Sequence, residues 1–248
     1  MKKALYSAIA AIAFLSASAA QAVTVTYNYA VSWDGSGKTS ALAGSPNVFV
    51  ETFDRADGSG GVTWAQNMVT VTTVSGGGLG FAQGSVPNVY AAPANDTTHF
   101  AYGPAQGSDV SDAEVNFNFS GLLGTLGPNA SLNYFGLYYG SIDTFNDVTF
   151  YNAQGGVIQT ITGAFLIGLF NGQSGETQSD SSNIYVNLFF SPQEQFTSFS
   201  FKTSSQAFEV DNLVVGYQVA NPVPEPASLA LLGLGFAGLG FARRRSRK

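Results

Sequence analysis

Short runs of alternating hydrophobic and polar residues recur along most of this chain, and no long stretch carries apolar residues at helical spacing. In "VTVTYNYAVSW", Val23, Val25, Tyr27, Tyr29, Val31 and Trp33 share one face, with Thr24, Thr26, Asn28 and Ser32 on the other. "EVNFNFS" sets Val115, Phe117 and Phe119 against Glu114, Asn116 and Asn118. Runs of the same kind cover 47–53, 68–74, 131–139, 147–151, 156–162, 183–190, 195–202 and 207–219. Alternation on this scale predicts half-buried strands. Between the runs lie turn-forming stretches such as "DGSG", "SGGGLG", "NDTT", "GPN" and "NGQSGETQSDSS". About ten strands with little helix predict an all-β fold, an antiparallel β-sandwich of jelly-roll type. The segments 34–46, 75–109 and 171–182 read as long loops, the middle one with room for short irregular strands.

Both ends break the pattern. "MKKALYSAIAAIAFLSASAAQA" has a basic start at Lys2 and Lys3, an apolar stretch from Ala4 to Leu15, and the small-x-small pattern Ala20-Gln21-Ala22. That is the layout of a cleaved secretory signal over 1–22, with Val23 as the new N-terminus. At the other end, Ala227 to Ala242 carries no charge and one polar residue, Ser228. As a helix these residues would rise roughly 24 Å, a little short of a bilayer core of about 30 Å. Arg243, Arg244, Arg245, Arg247 and Lys248 follow at once and favour the cytoplasmic side. Pro224 and Pro226 keep the preceding residues extended, where a membrane enzyme could reach them.

Pro224-Glu225-Pro226, an apolar span and a terminal Arg cluster together resemble the PEP-CTERM sorting signal of exosortase-dependent bacterial surface proteins. The resemblance covers 223–248 and implies a membrane-held precursor. An exosortase would remove the tail near Pro-Glu-Pro and release the body to the envelope or exterior, in bacteria that make exopolysaccharide. Within the tail, Gly233, Gly235 and Gly238 fit the dinucleotide pattern G-x-G-x-x-G. That pattern needs a preceding strand and an acidic residue about 20 positions later, and no acidic residue follows here. It is rejected. A second resemblance rests on "NYFGLYYGSIDTFNDVTFYNAQGGVIQTITG" and "AFEVDNLVVG". These are similar to a recurring body type among exosortase-dependent proteins, one without an assigned activity, which implies location and a β fold.

Charge sharpens the picture. The body 23–222 holds fifteen acidic residues against three basic ones, Lys38, Arg55 and Lys202, so it is near −12 while the whole chain is −6. Phosphate backbones would be repelled, which argues against nucleic acid. Divalent cations and neutral glycans stay compatible. With no cysteine, disulfides and thiol chemistry are excluded.

Candidate chemistry is sparse. His99 is the sole histidine, it lies in a loop-like setting that suits a surface residue, and no G-x-S-x-G elbow or P-loop accompanies it. Asp143, Asp147, Glu209 and Asp211 are candidates for a carboxylate pair of the glycosidase kind, although spacing alone marks none as an acid. "DRADGSG" at 54–60 gathers two carboxylates at a turn without the spacing of a helix-loop-helix calcium loop. Asp211 and Asn212 interrupt the last apolar strand, so one of them should face the core side and need a partner. Calcium and a hydrogen bond from backbone or loop are both open as that partner. Tyr134, Tyr138 and Tyr139 straddle both faces of one strand, which places a ring at the surface. With Asp143 and Asn146, Tyr138 and Tyr139 form the expected sugar platform. The expected role is an exported surface or matrix protein, structural or adhesive and linked to exopolysaccharide, without catalysis. A calcium-assisted carbohydrate-binding module is the alternative, and a glycoside-acting enzyme follows it.

Overall fold

A computed structural model of the chain describes residues 23–64, 68–107, 112–175 and 178–219. The expected signal peptide 1–22 and the sorting segment with Pro224, Glu225, Pro226, Arg243, Arg244 and Arg245 lie outside the described residues. Among the described residues no helix is long and apolar enough to cross a membrane.

The chain begins with β1 (Thr24–Thr26), β2 (Ala30–Val31), β3 (Lys38–Thr39), β4 (Val48–Glu51), β5 (Thr70–Ser75), β6 (Gly80–Ala82) and β7 (Phe100–Gly103). It continues with β8 (Ala113–Asn118), α1 (Ser120–Leu126), β9 (Ala130–Gly140), β10 (Asn146–Tyr151) and β11 (Val157–Thr162). Last come α2 (Gly163–Phe170), β12 (Ile184–Phe189), β13 (Ser198–Thr203) and β14 (Phe208–Val219). All strand pairings described are antiparallel, so the all-β expectation holds.

One sheet has seven strands in the order β1-β12-β9-β14-β7-β6, with β4 also paired to β14; a second has the order β11-β10-β13-β8-β5. From β8 onward the chain passes repeatedly from one sheet to the other. Both sheets feed a single apolar core. Phe135, Leu137, Val186, Val210 and Val215 come from the first, and Val115, Phe117, Phe150, Phe199 and Phe201 from the second. The Phe135 ring meets Phe150 at 5.1 Å and Phe199 at 4.7 Å, edge to face in both cases. The period-two reading of β8 is realised residue by residue, with Val115 and Phe117 buried between partly exposed neighbours.

The run 23–33 is broken. Thr26 Oγ1 donates to Asn28 Oδ1, and Asn187 Nδ2 holds the Asn28 carbonyl at 2.8 Å, so the chain leaves the sheet edge there. Tyr27 lies against Phe170, while Val31 and Trp33 are carried outward on the β2–β3 hairpin. Trp33 is 95 % exposed although the alternation assigned it to a buried face. The two helices also went unread. Each spans about two turns, too short for a helical period to register.

Candidate functional site

The long segment 85–98 lies over the outer face of the seven-stranded sheet as a strap. Three polar side chains, two on the sheet and one just before β12, secure its backbone. Glu209 Oε1 accepts from Ala91 N at 2.9 Å, Asn183 Oδ1 accepts from Ala94 N at 2.9 Å, and Tyr138 Oη donates to the Ala94 carbonyl at 2.5 Å. Gly140 permits the approach, because a Cβ there would stand 2.8 Å from Pro93. The strap thus converts an outer sheet face, normally wet, into a roofed polar layer.

Its placement decides the expected site residues. Tyr138 and Tyr139 do not form a surface platform. Tyr138 faces outward, as expected of one of the pair, but the strap covers it; Tyr139 faces the core and stacks on Phe208 at 4.8 Å. Neither ring is exposed, and burial holds both hydroxyls well above the ordinary tyrosine range. Asn146 is also buried, with Nδ2 donating to the Ala207 carbonyl at 3.0 Å, so it ties β10 to the turn before β14 and offers nothing to a ligand at the surface.

Asp143 does reach a cleft. An open space of about 550 Å³ lies at the end of the strap, lined by Asn88, Tyr90, Ser141, Asp143, Gln206 and Glu209 among others. Asp143 Oδ1 accepts from Ser174 Oγ at 2.8 Å, and partial burial raises its carboxyl above the usual range. Burial pushes Glu209 further, to about 8, with the Ala91 amide opposing and the Asp143 charge adding to the rise. Its second oxygen is buried without a partner. Tyr90 supplies a half-buried ring, packed on Tyr102 at 4.2 Å. Asp147 belongs elsewhere, opposite Lys202 on the second sheet.

Asp211 and Asn212 part company. Val210 and Leu213 join the core, whereas Asp211 sits beneath the strap beside its cross-strand partner Tyr138. The buried acid therefore lies on the roofed outer face and Asn212 turns to the hairpin, so the expectation that one of the two faces the core side is corrected. Asn212 has its hydrogen bonds from the hairpin. Its Nδ2 donates to the Ser36 and Lys38 carbonyls at 2.8 and 3.0 Å, and its Oδ1 accepts from Ser36 Oγ at 3.1 Å. Asn212→Ala removes all of these at a residue with φ of 48°, which asparagine tolerates better than alanine. The variant is expected to lose about 2–3 kcal/mol in chemical denaturation, with faster proteolysis of the 32–38 hairpin.

Asp211 has no such partner. Both of its oxygens are buried without a hydrogen bond, as is Asp96 Oδ2 from the strap; the Asn212 amide lies near but makes no well-formed bond. Asp96 Oδ1 accepts from Thr98 N and Oγ1, each at 2.8 Å. Burial raises Asp96 to about 6 and Asp211 well above the carboxylate range, each increased by neighbouring acids. The acids of 54–60 separate: Asp54 pairs with His99 Nδ1 at 3.1 Å, and Asp57 turns to Ser59. His99 is thus partly covered, not free at the surface. Among the described residues no three His, Asp or Glu side chains form a ready metal cage.

Tyr90 and Asp96 escaped sequence reasoning. Both lie in a stretch without alternation, where only the turn signal "NDTT" was readable.

No curated protein matches the chain. One solved structure that does is the crystal structure of the bacteriophage CBA120 tailspike protein 4 enzymatically active domain. It is 18 % identical with a TM-score of 0.27, over 77 % of this chain and 21 % of that one. The chain therefore spans about a fifth of that protein, and a likeness so slight carries no argument about fold or activity. The tail gives a definite result: residues 222–247 match the model of the PEP-CTERM protein-sorting motif. That motif implies export, a membrane-anchored precursor and processing by an exosortase. The C-terminal tail of the chain thus carries a PEP-CTERM protein-sorting motif, which supports an exosortase-sorted protein.

Proposed function

We propose that this protein is an adhesive component of the cell surface or extracellular matrix, whose body binds a neutral stretch of exopolysaccharide in the cleft beside Tyr90 and Asp143. The body is taken as a β-sandwich with a jelly-roll path, supported by two sheets sharing one core and by a chain that alternates between them. The observation that carries the binding reading is the open cleft of about 550 Å³, within the size range of small-ligand sites. Tyr90 offers a ring face for the C–H surface of a sugar, and Asp143, Asn88 and Gln206 offer polar groups for its hydroxyls. A body near −12 disfavours an acidic glycan, hence the neutral class.

Holding is proposed and cleavage is not. A glycosidase pair needs both carboxyls at the sugar. Glu209 has one oxygen engaged by Ala91 and the other buried, so it braces the strap from below.

The test is co-sedimentation of the full chain, purified in mild detergent, with the host's own exopolysaccharide. Saturable pelleting is expected, weakened about tenfold by Tyr90→Leu, which keeps apolar bulk for Tyr102 but removes the planar ring. Pelleting that ignores the polysaccharide, or a Tyr90→Leu variant that binds as the parent does, would remove the cleft reading.

A further inference from the structure

Between the strap and the sheet, two carboxyls meet with three of their four oxygens lacking a donor. Asp211, fully buried on β14, is brought beside Asp96: its cross-strand partner Tyr138 bonds the Ala94 carbonyl, and Ser36, bridged to Asp96, accepts from the neighbouring Asn212. As carboxylates both are acceptors. Neither Asp211 oxygen has a partner, and Asp96 has spent only Oδ1, on Thr98. Asp34 and Asp54 add further negative charge nearby. The cations that could answer are occupied elsewhere. Lys38 Nζ is held by Asp180 at 2.8 Å and by the Asn183 carbonyl at 2.5 Å, and His99 is paired with Asp54.

Buried charge of one sign is strongly unfavourable unless something of the opposite sign shares the site. A proton shared between the acids would remove one charge and leave an Asp211 oxygen without a donor. A divalent cation would neutralise both and occupy their free lone pairs. We propose that Asp96 and Asp211 bind one hard divalent cation of the calcium class, clamping the strap to β14. Hard cations take oxygen ligands in flexible number, so two carboxylates can be completed by main-chain carbonyls and water. The consequence is structural: Asp96 is in the strap, Asp211 in the sheet, and the strap also forms one wall of the cleft. The proposal uses no property of the glycan and is tested without it.

The full chain, stripped with EDTA, is dialysed against radioactive calcium and melted with and without the ion. Stoichiometric binding of one calcium is expected, with a dissociation constant of about 10⁻⁴–10⁻³ M as in extracellular modules. A rise in Tm of about 5 °C at saturation should accompany it. Asp211→Asn should weaken binding at least about tenfold while melting in EDTA no lower than the parent, because a buried charge has gone. Asp96→Asn provides the same reading from the strap side, should Asp211→Asn fail to fold. Asp57→Asn, at an unrelated turn, should bind as the parent does. A parent chain that neither binds calcium stoichiometrically nor shifts its Tm would overturn the proposal in favour of a shared proton. So would Asp211→Asn and Asp96→Asn variants that keep full affinity.

Discussion

Glu51→Ala is expected to cost about 4 kcal/mol, close to the whole stability of many domains. Glu51 ends β4 and is fully buried. Its carboxyl accepts from Phe53 N at 2.9 Å, Thr63 N at 2.6 Å, Thr63 Oγ1 at 2.8 Å and Trp64 N at 2.7 Å. One side chain therefore satisfies three backbone donors of the 53–64 turn, and Trp64 then packs edge-on against Phe117 and Phe119 at 6.4 and 5.2 Å. Truncation would leave those amides buried and unsatisfied, a cost of about 1–3 kcal/mol each that is only partly additive. Glu51→Gln should lose most of the same energy, since its amide turns an N–H toward donors. Urea midpoints of the two variants decide the matter. A loss below about 1 kcal/mol for Glu51→Ala would mean that water replaces the carboxyl and the turn does not depend on it.

Phe199→Ala is the second large effect, also about 4 kcal/mol. Phe199 lies on β13, wholly buried, stacked on Phe117 at 5.0 Å within its own sheet and edge-on to Phe135 of the other at 4.7 Å. Phe201 at 5.3 Å and Phe119 at 5.9 Å complete its surroundings. Removing the ring opens a cavity where the two sheets meet, and the neighbouring rings, held by one another, cannot collapse into it. Phe199→Leu keeps most of the volume and should lose about half as much or less. If Phe199→Ala and Phe199→Leu unfold at the same denaturant concentration, the core relaxes around the site and the packing argument fails.

These two residues differ in how far the sequence announces them. Phe199 falls in a run whose alternation, with its β8 partner "EVNFNFS", already places it inward. Glu51 falls inside the run 47–53 as one more acidic residue, and its type marks it for the surface. Its donors lie up to thirteen positions ahead in a turn that reads only as glycine-rich. The same contrast runs through the candidate site. Asp143, a candidate in the sequence both as an acid and as a sugar-binding group, does line a cleft. Tyr139 was named from the same stretch, but its strand parity turns it to the core, and Tyr138, on the outer parity, is hidden by a strap some forty positions earlier in the chain. Trp33 fails in the opposite sense: its alternation is sound, but β1 ends at Thr26 and the hairpin carries the ring outward.

The sequence by itself determined the longer strands and the sorting tail. Both are local: period-two alternation needs only neighbouring residues, and a sorting tail is read as a linear segment by the machinery that processes it. Tertiary structure alone decided which polar groups are buried and what faces them. The Ala91–Glu209 contact joins residues 118 positions apart, and Ser36–Asn212 joins residues 176 apart. A carboxyl is surface or core only by virtue of what a distant segment lays over it, and here the strap, resting on Gly140, makes a cleft at one end and sets its own Asp96 over the buried Asp211.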